Sequence, residues 1–165
     1  MIEFEKVSFE QFKKDYVKQT QETSTAVIRE IYDKIKLPQR STANSAGYDF
    51  FAPTECVVGK DLNTYVCTGI RVKMSPEWVM MIFPRSSLGI KRGISLANTT
   101  GIIDSGYYDA DNEGHIHIVL TTSLNQWQHI FAHERIAQGI FLPYGVAENG
   151  NTDTKRTGGI GSTGK

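Results

Sequence analysis

The sequence predicts an all-β domain, a sandwich or a barrel. Most of the chain is a succession of short apolar runs bounded by Gly, Pro, Asn and Ser, the pattern of many short strands joined by tight turns. No helical stretch lies between those runs, and a parallel sheet needs such crossovers. The length of 165 residues suits one domain with a real core. Three parts are expected: an N-terminal helix and linker over 1–25, the β domain over 26–143, and a C-terminal arm over 144–165.

Residues 8–18 are the one helix the pattern supports. Ser8 and Gln11 have the spacing of a capping box, and Phe9, Phe12 and Tyr16 share one face. The polar stretch 19–25 reads as a linker. Residues 26–37 are rich in β-branched and aromatic side chains and read as β. Residues 56–58, 65–74 and 78–83 are apolar runs, 115–120 alternates, and 130–142 holds two more runs. From Tyr144 onward large apolar residues almost vanish and glycine recurs. Such a segment cannot bury enough surface to fold alone. It is either a disordered terminus or an arm that orders over a ligand. Its ending, Lys155-Arg156-Thr157-Gly158-Gly159-Ile160-Gly161-Ser162-Thr163-Gly164-Lys165, favours the arm. Glycine N–H groups, hydroxyls and cations can converge on an anion. The order of residues excludes a Walker phosphate loop, which needs Lys before Ser/Thr and a helix after it.

Lys+Arg and Asp+Glu are 18 each, which argues against a general binder of nucleic acid or anionic membrane. No apolar run approaches the roughly 20 residues of a membrane helix, and the charged start is not a secretory signal. Cys56 and Cys67 have no metal-like spacing and read as buried free thiols. A cytoplasmic protein, in the host cytoplasm if viral, is the expectation.

The most informative stretch is Gly101-Ile102-Ile103-Asp104-Ser105-Gly106-Tyr107. It sets one carboxylate after an apolar run with an aromatic ring three residues on, the arrangement of a positioned base, and it reads as part of a β-hairpin. Arg85-Ser86-Ser87-Leu88-Gly89 follows a strand and can present hydroxyls and N–H groups to phosphate oxygens; alone it is also an ordinary polar turn. Gln138 on a buried strand needs partners or a ligand. Asn98 can donate and accept at once, matching an imide edge, or serve only its turn. Asp49 in Ala46-Gly47-Tyr48-Asp49 could bond backbone or an arginine. His115 and His117 invite a zinc site, but no Cys or carboxylate completes it at the expected spacing, so satisfied histidines are the better reading.

Taken in order, residues 37–49, 84–89, 101–107, 135–138 and 158–164 resemble the five motifs of the trimeric deoxyuridine triphosphatase (dUTPase) family, and suggest an enzyme of a large DNA virus. Ser87 stands where the family has glycine and Ile160 where it has phenylalanine. Isoleucine can cover a base but has no π-face. The usual motif-five arginine aligns with Lys155 rather than Arg156, and residues 109–114 look like a small insertion.

The resemblance implies a jelly-roll-like β-sandwich protomer in a homotrimer with active sites at subunit interfaces. It implies hydrolysis of dUTP to dUMP and pyrophosphate with Mg²⁺, the ion held by phosphates and water with Asp49 at most in an outer shell. Asp104 would be the general base for water attack at the α-phosphorus. Arg85, Ser86, Ser87 and Gln138 would meet the phosphates. Asn98, Gly101, Ile102 and Ile103 would read uracil, and Tyr107 would pack on the deoxyribose and exclude a 2′-hydroxyl. Lys155 or Arg156 would bind the γ-phosphate with Gly161, Ser162 and Thr163, while Ile160 covers the base. The related dCTP deaminases share the fold, but the strand expected after Tyr107 carries no glutamate. A non-catalytic trimeric module is the other alternative.

Overall fold

The structure, a computed structural model, describes residues 1–150. Strand β1 (Ile2–Lys6) leads into helix α1 (Phe9–Thr20) and helix α2 (Thr25–Asp33). Strands β2 (Gln39–Arg40), β3 (Tyr48–Phe51), β4 (Cys56–Val58), β5 (Thr64–Cys67), β6 (Ile70–Met74) and β7 (Trp78–Pro84) follow. Helix α3 (Ser86–Arg92) precedes β8 (Ile94–Leu96) and β9 (Gly101–Asp104). A 3₁₀ turn over Ser105–Asp109 then leads to β10 (His117–Thr122), β11 (Gln128–Ile130) and β12 (Arg135–Pro143). The mostly-β class expected from the sequence holds.

The strands form a five-stranded sheet in the order β2-β3-β12-β7-β9, a three-stranded sheet β5-β10-β8, and the pairs β1-β6 and β4-β11. Every strand pairing is antiparallel. One apolar cluster joins these layers, with Phe50, Met80 and Ile136 from the large sheet and Ile94, Ile118 and Leu120 from the smaller one. The N-terminal segment belongs to the same cluster through Val7, Phe12, Tyr16 and Ile28.

Residues 26–37 are not β. Ile28, Ile31, Tyr32 and Ile35 recur at the helical period, and their packing against the core decides the matter. Ser24 caps α2 by accepting from Val27 N. In α1, Ser8 Oγ accepts from Gln11 N at 3.1 Å. Gln11 does not complete the box; Ser8 N instead donates to Glu113 Oε2 at 2.7 Å. The Ser-Ser-x-Gly stretch is the start of a helix rather than a turn. Among the described residues no helix is long and apolar enough to cross a membrane.

Candidate functional site

The Gly101–Asp104 strand is not half of a closed hairpin. β8 pairs with β10, whereas β9 pairs with β7. The two neighbours in sequence therefore belong to different sheets, and each ends its sheet as an edge. Unpaired backbone N–H and C=O groups face the gap between them. That gap opens into a cavity of about 770 Å³ lined by Leu96, Ala97, Asn98, Gly101, Ile102, Ile103 and Tyr107 on one side. Asp15, Lys18, Asn63, Tyr65, His117 and Val119 line it on the other.

Asp104 closes β9 and is the N-cap of the 3₁₀ turn. Its carboxylate is half-buried at the point where strand gives way to helix. The turn then folds Tyr107 back into the core, where only 6% of it is exposed. The Tyr107 hydroxyl donates to His115 O at 2.7 Å and accepts from Asn112 Nδ2 at 2.7 Å, so only the ring is offered to the cavity. Asn98 Nδ2 donates to Thr100 O within its own turn at 3.2 Å, leaving the amide oxygen and the second N–H of Nδ2.

A second cleft of about 320 Å³ lies on the large sheet, lined by Ser41, Ser45, Gly47, Asp49, Arg85, Ser86 and Gln138. Strand order explains the convergence. β12 runs between β3 and β7, so Gln138 sits opposite Asp49 on one side and Phe83 on the other. Arg85 emerges from the end of β7 as the N-cap of α3, with Ser86 and Ser87 in the first helical turn. N–H groups there have no intrahelical acceptor. A Cβ on Gly47 would lie 2.6 Å from Gln138 Oε1, so this glycine makes room for the amide. Gln138 Nε2 donates to Pro84 O at 3.3 Å, which fixes which end of the amide faces the cleft.

Asp49 is buried, with both oxygens engaged. Arg85 Nε donates to Oδ1 at 2.9 Å, while Ser41 Oγ and Arg135 Nη1 donate to Oδ2 at 2.8 Å and 3.2 Å. The bonded-arginine role weighed from the sequence is the one this geometry displays. Arg135 is a residue of this cluster that no short sequence pattern marks by itself.

The cavity and the cleft do not meet within one chain. Asp104 pairs with Val79 across one side of β7, and Gln138 with Phe83 across the other, four residues further along. At ~3.3 Å per residue and ~4.8 Å per strand, their Cα atoms are about 16 Å apart. Lys155, Arg156, Ile160, Gly161, Ser162 and Thr163 lie outside the described residues.

The histidines form a network that sequence spacing alone did not reveal. Asp15 Oδ2 lies 2.6 Å from His115 Nδ1 and 3.4 Å from His117 Nε2. The three ligand atoms fall within 4.8 Å of one another, near enough for a cation to bridge. Gly69 N, however, donates to His115 Nε2 at 2.9 Å. The lone pair is therefore on Nε2 and the proton on Nδ1, where a metal would have to bind. The arrangement is a hydrogen-bond network. Burial lowers the pKa of His115 despite the Asp15 carboxylate beside it. Burial also opposes the charge on Asp15, but hydrogen bonds from His115, His117 and Gln11 outweigh it and hold the carboxyl far below its ordinary range. Burial pushes the Cys67 thiol up to about 12, so it is an inert core group.

Comparison with known proteins places the chain. The family model described as dUTPase matches residues 33–164. The deoxyuridine 5′-triphosphate nucleotidohydrolase of Lactococcus lactis subsp. lactis is 38% identical over 133 residues, covering 79% of this chain and 89% of its own. That of Nautilia profundicola is 32% identical over 143 residues, covering 84% and 97%. The crystal structure of dUTPase from Streptococcus mutans superposes with a TM-score of 0.66 at 30% identity, covering 88% of this chain and 98% of that one. These sequence relatives are bacterial, so the expected kinship with large DNA viruses is without support.

Proposed function

The chain belongs to the dUTPase family, and on that premise we propose that Asp104 activates the water that attacks dUTP at its α-phosphorus. The enzyme is a dUTP diphosphatase: dUTP and water give dUMP and pyrophosphate. The observation that carries the reading of Asp104 is its position at the end of β9. There Asp104 directly follows Ile103, which lines the cavity, and caps the turn that brings the Tyr107 ring to the same cavity.

The base enters the gap between β8 and β9. Edge-strand N–H and C=O groups of residues 101–103 and the Asn98 amide read the imide edge of uracil. A cytosine would confront a donor with a donor and leave a buried group unpaired. Tyr107 holds its hydroxyl on His115 O and so presents a fixed ring wall to the sugar, where a 2′-hydroxyl would find no partner. Ser86, Ser87, Arg85 and Gln138 receive phosphate oxygens. Asp49 keeps the Arg85 guanidinium in place, as a bidentate-capable cation must be oriented to be useful.

An active site needs both halves. Asp104 and Gln138 are too far apart in one protomer for their side chains to meet on one phosphate group. A closed ring of copies brings the nucleoside cavity of one against the phosphate cleft of the next. A homotrimer is the assembly this reading adopts, and light scattering of the purified chain measures it. The segment carrying Lys155, Arg156, Ile160, Gly161, Ser162 and Thr163 would then cap the triphosphate.

The residues present would leave magnesium to be held by the substrate rather than by the protein. The Asp49 oxygens are occupied by Arg85, Arg135 and Ser41, and no described cluster of carboxylates offers a cage of hard oxygens. The donor set fits an ion carried on the triphosphate and its waters, where it would offset phosphate charge as the leaving group departs.

Pyrophosphate release from dUTP, measured beside dCTP and dTTP with Mg²⁺ and with excess chelator, tests the function. Only dUTP with Mg²⁺ is expected to turn over at full rate. Deamination of dCTP would reassign the chain to the related deaminases, although β10, His117–Thr122, holds no carboxylate. No reaction with any nucleotide would leave a binding module.

A sharper test uses Gly47. The methyl of Gly47→Ala meets the far end of a flexible side chain, so stability changes little while Gln138 is driven out of the cleft. A loss of about 10²-fold in kcat/KM is expected, the scale of an ångström misplacement. Unchanged turnover would remove Gln138 from the site.

A further inference from the structure

The helix that precedes the family match is built into the substrate cavity. Residues 1–32 lie outside the matched span, yet Asp15 and Lys18 of α1 line the same cavity as Asn98, Ile102 and Tyr107. The connection runs through His115. Its ring is fully buried and fixed at both nitrogens, by Asp15 at 2.6 Å and by the Gly69 N–H at 2.9 Å. Phe12, one turn before Asp15, packs on it with ring centroids 6.2 Å apart. The main-chain oxygen of this same residue receives the Tyr107 hydroxyl at 2.7 Å. A second clasp ties the intervening loop to the helix: Glu113 accepts from Ser8 N at 2.7 Å and Ser8 Oγ at 2.6 Å. Between the clasps Gly114 has φ +67° with Tyr107 O only 2.6 Å from where a Cβ would stand. The loop is thus closed tightly behind Tyr107, and the residues expected as an insertion form the strap that α1 holds.

We propose that Asp15 is a positioning residue for nucleoside recognition: through His115 it sets the depth at which the Tyr107 ring walls off the sugar. The proposal rests on the dUTPase reading and extends it to a segment the family match does not include. Asp15 touches no reacting atom. Its effect is on which sugar is accepted and how tightly, not on the step at phosphorus. Gln11 Nε2 donates to Asp15 Oδ2 at 2.7 Å and holds the carboxylate toward the histidines, so the aim of the group is set within α1 itself.

The test compares kcat and KM for dUTP and for UTP in the wild type, Asp15→Asn, Asp15→Ala, Asp15→Glu and Tyr107→Ala, all well below their melting temperatures. In Asp15→Ala, KM for dUTP is expected to rise about tenfold with kcat within about twofold, the signature of lost binding rather than lost chemistry. The preference for dUTP over UTP should narrow in step with Tyr107→Ala. Asp15→Asn keeps the shape and should lie between, and Asp15→Glu should recover part of the discrimination. Phe9→Leu, which loosens α1 against Tyr32 without touching His115, controls for general softening and should keep the preference intact. If Tyr107→Ala relaxes the preference while Asp15→Ala and Asp15→Asn leave it unchanged, the positioning role is wrong and the enzyme assignment stands. If Phe9→Leu relaxes it equally, Asp15 is only structural. A wild-type chain inert toward dUTP overturns the functional reading itself. Should Asp15→Ala fail to fold, the near-isosteric Asp15→Asn decides alone.

Discussion

Asp104→Asn is expected to fold as the wild type does and to lose roughly 10²–10⁴-fold in kcat, the usual worth of a positioned general base. Shape is preserved, and asparagine serves as well as aspartate at an N-cap, the position Asp104 occupies before the 3₁₀ turn. The half-buried site accepts an amide of the same size. Thermal melting should therefore move little. What the amide lacks is the capacity to take a proton from water. Substrate affinity should hold or improve, because one negative charge is removed from beside a polyanion. Fall of kcat with KM unchanged or lowered, together with an unaltered melting curve, is the predicted set. A kcat close to that of the wild type would show that the water is activated elsewhere. Loss of folding would show that the carboxylate is structural.

How much of this site could be read from the chain depends on how local each feature is. Asp104, Tyr107, Arg85 and Ser86 announce themselves through short patterns at the ends of strands; the structure puts Tyr107 at the cavity wall and Arg85 and Ser86 at the cleft wall, with Asp104 at the end of β9 beside the cavity residue Ile103. The pairing of β9 with β7 rather than β8 was not legible. Adjacency in sequence suggests a hairpin, and only the competition between two sheets for their edges opens the gap that a base could enter. Over α2 the β-branched content points to strand while the period of Ile28, Ile31, Tyr32 and Ile35 points to helix, and packing against the core follows the period. The contact between Asp15 and His115 spans 100 residues. No pattern over a short window reports such a pair. The His115–His117 spacing pointed toward a metal, and only the Gly69 N–H, a backbone donor with no identity in the sequence, decides the tautomer against it. Asp49 shows the same limit: its type fits several roles, and two arginines, Arg85 at the start of α3 and Arg135 on β12, select one.

His115→Ala should produce the largest loss of stability among the substitutions considered. The wild-type ring is buried completely, so its removal leaves a void against Phe12. It leaves the Gly69 N–H without an acceptor and strips Asp15, whose side chain is only 14% exposed, of its shortest partner. Unsatisfied buried polar groups and a cavity together cost about 3 kcal/mol, or roughly 6–12 °C in melting temperature for a chain of this size. The acid dependence gives a second handle. Burial holds His115 below its ordinary value of 6.5, so the unfolded chain takes up this proton first as pH falls. The contribution of the neutral ring is complete above pH 6.5 and shrinks below it, by up to about 1.4 kcal/mol per pH unit for one proton. Asp15, lowered from 3.8, and Glu5 and Glu113, lowered from 4.5, act in the same direction but only once their unfolded forms begin to protonate, near and below those values. The interval between pH 6.5 and 4.5 therefore isolates the histidine among these groups. Urea melts at fixed protein concentration should show wild-type stability declining across that interval and His115→Ala declining less steeply. Parallel slopes would mean that His115 is protonated in the folded state, with Gly69 N–H turned away from its ring.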